Sequence, residues 1–232
     1  AKVAGFGGVA KGHGLYGAGG SLTMPLGFRY GLQIDGIAAS ADTEALGDVT
    51  VAGVPAHLFW RDPSAGLFGL YGHYLHGDIF SGADVFAGAF EGALYLGRFT
   101  IEGIAGAQGG KADLGALGDV NFDTRFIDVA QLAYYPIDDL KISIGHSYLF
   151  GTNSLLLGAE QGLPTGHGTM AALFVDGGVA EGGDATVLGG LRLYIGQSDK
   201  TLIRRHREDD PPIASPVLWA VIAWVRREIH DR

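Results

Sequence analysis

The chain has 232 residues, a formal net charge of −9 and no cysteine. The acidic balance argues against nucleic acid as a partner, because phosphate recognition needs a basic surface, and the lack of thiols excludes disulfides and thiolate metal sites. Hydrophobic residues make up 47% of the sequence, but no apolar run approaches the roughly 18–20 residues of a membrane-spanning helix. The apolar residues are spread through the chain, and their spacing is the main evidence for the fold.

Alternating segments of about ten residues recur along the chain and are separated by clusters of Gly, Pro, Asn and Asp. Such segments are typical of strands that turn one face to lipid and the other to a polar interior, although a soluble β-sandwich also alternates. Twelve segments can be distinguished, and an even number fits a closed bacterial barrel. They cover residues 2–11, 14–26, 28–40, 48–61, 66–79, 84–97, 99–108, 121–135, 140–150, 154–163, 169–177 and 185–197.

The third segment shows the alternation most clearly. Tyr30 and Ile34 fall on one face with other apolar residues, whereas Gln33 and Asp35 fall on the other. The sixth and ninth segments repeat this arrangement. Three segments therefore predict an apolar face toward lipid and a polar face toward the interior of a barrel.

The eighth segment is less regular, because two polar residues, Asp128 and Gln131, fall on opposite faces. An extra residue in one strand would move the following side chains to the other face. The sequence therefore predicts a β-bulge or a shifted register in this segment.

The twelfth segment has the features of a closing strand. Gly190, Leu193 and Ile195 place two apolar residues at fixed spacing after a glycine, and this pattern resembles the closing-strand signal of bacterial outer-membrane barrels. The resemblance implies an outer-membrane β-barrel. All 40 glycines lie at or before Gly196, so the composition changes directly after this segment. We expect a transmembrane β-barrel over residues 1–197 and a separate tail over residues 198–232.

The connections between segments tend to alternate in length. Those after segments two, four, six, eight and ten are short, whereas those after three, seven and eleven are longer. Outer-membrane barrels have short periplasmic turns and longer outer loops, although the connections after segments one, five and nine are shorter than this rule predicts. The pattern places both ends of the barrel, and the tail, in the periplasm. The longer connections are residues 41–47, 109–120 and 178–184.

Acidic residues are concentrated near the predicted outer loops. Divalent cations could bridge these carboxylates to lipopolysaccharide, which together with the lipid is the expected membrane partner. The alternative is that these residues belong to ordinary solvated hairpin loops. They are Asp42, Glu44, Asp48, Asp78, Asp84, Asp113, Asp119, Asp123, Asp176, Glu181 and Asp184.

The tail divides into two parts. Residues 198–212 are densely charged and end in two prolines, so we expect a solvated linker; within it, residues 199–211 resemble tails of small alphaproteobacterial barrels. A short helix can begin at Pro216 and would carry Trp219 and Trp224 on a mostly apolar body. This helix either packs against the barrel base or frays, or it binds a protein partner or the membrane interface, where Trp is favoured.

The predicted inward face carries both signs of charge. Unpaired charges at membrane depth are costly, so these residues must contact water or pair with one another. The interior is therefore either a hydrated pore with acidic and basic walls or a salt-bridged interior that conducts little. The predicted pore-lining residues are Arg29, Gln33, Asp35, His57, Arg61, His73, Glu91, Glu102, Lys141, Ser143, Glu160 and Arg192.

Catalytic and metal sites are not expected. His57 and His73 face inward on adjacent segments, but no further ligands are spaced to complete a metal site, and no cofactor motif is present. His76 and Asp78 share a face near the outer rim, a placement that resembles omptin-like surface proteases. A catalytic base also needs an orienting partner and a nucleophile, and neither is identified in the sequence. The chain is therefore predicted not to be an enzyme.

The sequence predicts an all-β protein, a closed antiparallel transmembrane β-barrel of about twelve strands with a short tail. Its expected function is passive diffusion of small polar or cationic solutes through the outer membrane. The alternative is a non-conducting structural or assembly protein that binds a partner through its outer loops or residues 199–232. The two functions differ in whether the interior charges pair across the lumen or line water. The residues that decide this are Arg29, Asp35, Glu91, Glu102, Lys141 and Arg192.

Overall fold

The computed structural model describes residues 1–43, 47–79, 81–196 and 198–209. Twelve strands form a closed antiparallel barrel in which each strand pairs with its neighbours in the sequence. The predicted fold class is confirmed. The strands are β1 (Lys2–Ala10), β2 (His13–Leu26), β3 (Tyr30–Thr43), β4 (Gly47–Asp62), β5 (Gly66–Gly77), β6 (Ala83–Leu96), β7 (Phe99–Asp113), β8 (Asp119–Ile137), β9 (Leu140–Leu149), β10 (Thr152–Gly166), β11 (Thr169–Ala180) and β12 (Ala185–Ile195).

The barrel closes between its first and last strands. β1 pairs with β12 from Lys2 opposite Tyr194 to Ala10 opposite Thr186. The start of β1 and the end of β12 therefore lie at the same end of the barrel, which we call the termini end, together with five turns of two or three residues; the opposite end is the loop end. A single turn of 3₁₀ helix, Gly115–Leu117, lies at the loop end, and a short α-helix, α1 (Leu202–Glu208), follows β12.

Side chains alternate between the interior and the outer surface along nearly every strand. In β12, Leu191 is 61% exposed while Tyr194 is 1% exposed, because successive residues of a strand point to opposite faces. The predicted faces of the third, sixth, ninth and twelfth segments are observed. The outward face is rich in exposed aliphatic and aromatic side chains, and such a surface suits lipid rather than water.

No helix among the described residues has the length and apolar character needed to cross a membrane.

Strands at the loop end are longer than the sequence pattern predicted. β7 extends to Asp113 and β8 begins at Asp119, so most of the predicted loop 109–120 is paired strand. Likewise β11 reaches Ala180, which leaves a short connection at residues 181–184. Polar and glycine-rich segments can pair beyond the membrane, because the ladder satisfies backbone hydrogen bonds whatever the side chains are. In the predicted loop 41–47, residues 44–46 lie outside the described residues.

The predicted irregularity in the eighth segment is confirmed, but it lies before Asp128 rather than between Asp128 and Gln131. The register between β7 and β8 is continuous from Phe99 opposite Tyr134 to Gln108 opposite Arg125. Asp128 points outward and Gln131 inward, as a regular strand requires. The shift within this segment lies between Phe122 and Arg125 of β8, which oppose Gly110 and Gln108 of β7, and a second shift lies between Tyr134 and Ile137 of β8.

Candidate functional site: the barrel interior

The half of the interior nearest the loop end is filled by apolar side chains. Leu75, Ile79, Ile127 and Leu188 are almost completely buried and belong to one packed cluster. These residues occupy inward positions on β5, β8 and β12 or just beyond β5. Because protein interiors pack at high density, this layer separates the polar middle of the barrel from the loop end.

A buried chain of hydrogen bonds crosses one side of the polar middle. His57 Nε2 lies 3.0 Å from Asp35 Oδ2, and His57 Nδ1 lies 2.6 Å from Glu91 Oε2. Gln33 Nε2 donates to the other oxygen of Asp35 at 3.0 Å, and Thr23 Oγ1 donates to Gln33 Oε1 at 2.9 Å. With both carboxylates ionised, both imidazole nitrogens must donate. His57 is then an imidazolium held between two carboxylates on strands β3 and β6.

Two further ion pairs join inward side chains on the other side of the middle. Lys141 Nζ lies 3.3 Å from Glu102 Oε1. Arg192 Nη1 donates to Glu160 Oε2 at 2.6 Å, and the Arg192 guanidinium stacks 4.4 Å from the centroid of the Phe174 ring. These four charged groups at membrane depth are thus paired, which lowers the cost of burying them.

The structure places eleven of the twelve predicted pore-lining side chains on the inward face. His57 and His73 do not contact each other: the Tyr71 ring lies between them, and its hydroxyl is 2.8 Å from His73 Nδ1. Arg61 packs its guanidinium 5.4 Å from the Phe59 ring centroid. The others are Gln33, Asp35, Glu91, Glu102, Lys141, Ser143, Glu160 and Arg192.

Arg29 is the exception. It precedes β3 in a turn at the termini end, where its side chain is 54% exposed and lies 3.6 Å from Asp62. Its guanidinium is 5.9 Å from the ring centroid of Trp60. The prediction that Arg29 lines the interior is wrong, because the two-residue period of a strand does not extend into the turn before it.

A cavity of about 120 Å³ lies in the polar middle and is lined by residues of β1–β4 and β8–β12. Its lining residues include Lys2, Gln131 and Asp176, which were not predicted to be there. Asp176 was assigned to the outer loops because the predicted eleventh segment ended one residue later. The alternation of side chains could have shown the inward position of Asp176. Asp176 lies two residues after Phe174 and shares its inward face, and β11 continues beyond it.

The termini end of the barrel is closed by α1. Its Leu202 is fully buried in a cluster with Met170, Ala172 and Tyr194. The Leu202 backbone N–H donates to Asp139 Oδ1 at 2.8 Å, in the turn between β8 and β9. The prediction of a solvated linker is thus wrong for α1. Although the helix is densely charged, its Leu202 is buried and its long side chains fit into the mouth of the barrel.

Two arginines fix α1 against the surrounding turns and strands. Arg205 is completely buried and donates to the carbonyl oxygen of Gly168 at 2.7 Å. Arg207 donates to the carbonyl oxygen of Phe99 at 3.0 Å, and its guanidinium lies 4.9 Å from the ring centroid of Tyr95. These contacts reach β7, β6 and the turn between β10 and β11, so α1 spans the opening.

His206 connects α1 to the polar middle. Tyr194 donates its hydroxyl proton to Glu160 Oε1 at 2.7 Å, so the Tyr194 oxygen accepts from His206 Nε2–H at 2.9 Å. The Tyr135 hydroxyl, 2.8 Å from His206 Nδ1, then donates to that nitrogen. This arrangement fits a neutral imidazole, and burial lowers the His206 pKa from 6.5 to about 3.

Replacing Leu202 with alanine is expected to weaken the packing of α1 against the barrel mouth by a free energy of about 2–4 kcal/mol, because a buried leucine is removed from a packed cluster. Hydrogen exchange of the α1 amides measures this change, and exchange of the barrel strands should stay the same. Arg204→Ala is the matched control, since Arg204 is exposed on the same helix and pairs with Glu208 of that helix. Equal exchange in the two variants would contradict the buried position of Leu202.

The residues considered for catalysis do not converge. His76 is exposed on the outer surface, and its Nδ1 lies 2.8 Å from Asp84 Oδ1. Asp78 instead accepts a hydrogen bond from the backbone N–H of Thr50. No group of three or more metal-ligating side chains forms in the part of the chain that the structure describes.

A second polar network lies on the outer surface toward the loop end. His146 is hydrogen-bonded through Nδ1 to Asp128 and through Nε2 to Asn153, each at 3.1 Å. Asn153 in turn donates to Glu181 at 2.9 Å. The network joins outward residues of β8, β9 and β10 to the connection after β11. The predicted partner-binding residues Trp219 and Trp224 lie outside the described residues.

Comparison with known proteins shows similarity in structure but not in sequence. The chain matches no protein-family model and no curated protein. It is similar to the KdgM porin with a TM-score of 0.57 at 10% identity, covering 84% of this chain and 99% of the porin. The fold is that of outer-membrane β-barrels.

Two autotransporter barrels are also similar to the chain. The translocator domain of the autotransporter NalP from Neisseria meningitidis gives a TM-score of 0.59 at 10% identity, covering 84% of this chain and 86% of that domain. The β domain of the Bordetella autotransporter Brka gives 0.52 at 11% identity, covering 84% and 97%. These identities support a shared architecture rather than a shared activity.

Proposed function

We propose that this protein is a channel of the bacterial outer membrane for small polar or cationic solutes, and that α1 closes it at the periplasmic end. The observation that carries the proposal is the charged cavity of about 120 Å³ inside the barrel, beneath which a seven-residue helix blocks the termini end. The termini end, with its short turns, is assigned to the periplasm.

The contacts of α1 support a removable plug. Apart from Leu202, the helix is held mainly by polar contacts of Arg205, His206 and Arg207. Polar contacts exchange readily with water, so the helix can leave the mouth at a lower cost than an apolar segment of the same size.

The charge of the barrel favours cations. Residues 1–197 hold nine Lys and Arg against 19 Asp and Glu, so the barrel carries 9 − 19 = −10. A negative potential concentrates cations at the openings of a channel. The apolar layer of Leu75, Ile127 and Leu188 at the loop end must rearrange for solutes to pass.

The test is single-channel conductance in a planar bilayer. The full chain is expected to conduct rarely, whereas a chain ending at Ser198, which lacks α1, is expected to give steady cation-preferring steps. A chain ending at Asp209 is the matched control, because it keeps α1 and should behave like the full chain. A correctly folded barrel that ends at Ser198 and does not conduct would refute the proposal.

The second candidate is a sealed structural or assembly barrel that binds a partner through its outer loops or tail. The paired charges favour it: Asp35 and Glu91 share His57, Lys141 pairs with Glu102, and Arg192 with Glu160. This candidate predicts no conductance from any of the three chains, so the same recordings separate the two functions.

A further inference from the structure

We propose that the interior cavity holds a binding site for a small organic ammonium ion, with Asp176 as the main acceptor. The proposal deepens the function given above, because it names the class of solute, and it rests on the same cavity.

The site is built on three adjacent strands. Ser143 on β9, Gly158 on β10 and Asp176 on β11 lie side by side in register. Gly158 has no side chain, and a Cβ atom placed on it would lie 2.7 Å from both Asp176 Oδ1 and Ser143 Oγ. The two oxygens therefore converge on a niche that exists only because residue 158 is glycine.

The charges around the niche leave one carboxylate available. Lys141 and Arg192 are the nearby cations on β9 and β12, and each pairs with its own carboxylate. Within the described ranges, the Asp176 carboxylate accepts no hydrogen bond and has no cation within 4.0 Å. A carboxylate inside a barrel is costly without a compensating charge. A ligand cation would supply that charge.

Ser143 supplies a second acceptor. Its Oγ already accepts a hydrogen bond from Gln131 Nε2 at 3.0 Å, and a hydroxyl oxygen has a further lone pair. An ammonium group has three donors, so it can bind Asp176 and Ser143 together. Apolar side chains, among them Phe6 and Ile37, line the same cavity and can contact the carbon part of the ligand.

The cavity is large enough for such a ligand. Its volume of about 120 Å³ lies below the range of roughly 300–1,000 Å³ that is typical of sites for drug-sized ligands, so the cavity suits an ion of a few non-hydrogen atoms. The cavity size therefore restricts the ligand to small molecules, and the niche at Gly158 is expected to provide the selectivity for charge.

The test is an NMR titration of the folded full-length protein in lipid nanodiscs with ethanolammonium, and with ethylene glycol as the uncharged comparison. Ethanolammonium is expected to bind at least tenfold more tightly than ethylene glycol. Asp176→Asn, which keeps the shape of the side chain, and Gly158→Ala, which fills the niche, are each expected to weaken ethanolammonium binding at least tenfold. Gly5→Ala is the matched control, because Gly5 faces outward with open space around it.

Equal affinity for the two probes, or unchanged affinity in Asp176→Asn, would overturn the proposal, and the latter result would show that Asp176 is protonated and neutral. Asp176→Asn also keeps the test decisive if Gly158→Ala does not fold. The titration does not depend on ion flow. If the unaltered protein did not bind ethanolammonium but the chain ending at Ser198 conducted, the site alone would be refuted. Binding without conductance in the chain ending at Ser198 would refute the channel alone.

Discussion

Replacing His57 with leucine is expected to lower the free energy of unfolding of the barrel by about 3–5 kcal/mol, the usual cost of breaking a buried ion pair by removing one partner. The substitution would leave the carboxylates of Asp35 and Glu91 facing each other without the imidazolium that separates them. All three side chains are almost fully buried, so water cannot replace the lost hydrogen bonds at low cost.

Urea unfolding of the protein in lipid vesicles measures this effect. The triple variant Asp35→Leu, His57→Leu and Glu91→Leu is expected to recover most of the stability, because well-packed apolar side chains can replace a buried ionic group at little net cost. If the triple variant were as unstable as the single variant, the loss of stability would come from packing around position 57 rather than from the unpaired carboxylates of Asp35 and Glu91.

Lowering the pH from 7.5 to 5 is expected to release α1 and to increase the open time of the full-length channel. The pKa of His206 is about 3 when α1 is seated and 6.5 when the side chain is in water. The seated form therefore binds fewer protons, so its stability is complete above pH 6.5 and declines as the pH falls from 6.5 toward 3. At pH 5 the loss amounts to roughly 2 kcal/mol.

The groups around His206 explain why protonation is unfavourable in the seated form. Burial is the largest effect, and the Glu160 carboxylate, 3.6 Å away, opposes it only in part. The titratable and charged groups that face His206 are Tyr135 on β8, Lys141 on β9, Glu160 on β10, Arg192 and Tyr194 on β12, and Lys2 on β1.

His206→Gln is the control for this prediction, because glutamine can donate and accept in the same place but does not titrate. Its open time should be the same at pH 5 and pH 7.5. The chain ending at Ser198 should also show no change. A pH response of equal size in His206→Gln would assign the effect to another group and contradict the role of His206.

The fold was predictable from the sequence because lipid and the interior impose opposite requirements on successive residues. Leu191 and Leu193 face outward while Arg192 and Tyr194 face inward, and this period of two can be read directly from the chain. Eleven of the twelve proposed interior residues follow from the same rule. The rule applies only within strands, and it therefore failed for Arg29 in its turn.

Two features of the interior were not predictable in this way. Asp176 was missed because glycines and an acidic residue look like a loop, and only pairing with β10 and β12 shows that the strand continues. The packing of α1 against the barrel was not predicted, because its seven residues are mostly charged or polar and therefore resemble a solvated segment. Its cause is a tertiary fit, in which Leu202 fills an apolar gap and Arg205 satisfies a turn carbonyl.

The hydrogen-bonded network around His146 gives the barrel a lipid-facing belt of uneven height. On β12 the outward side chains from Val187 to Ile195 are apolar or glycine, a height of about 20 Å at usual strand rise and tilt. On β9 the apolar stretch runs only from Leu140 to Ile144, before His146, so its height is only about 10 Å. Hydrophobic mismatch of this kind is met by local thinning of the bilayer, and the membrane beside β9 should therefore be thinner than the membrane beside the closing seam.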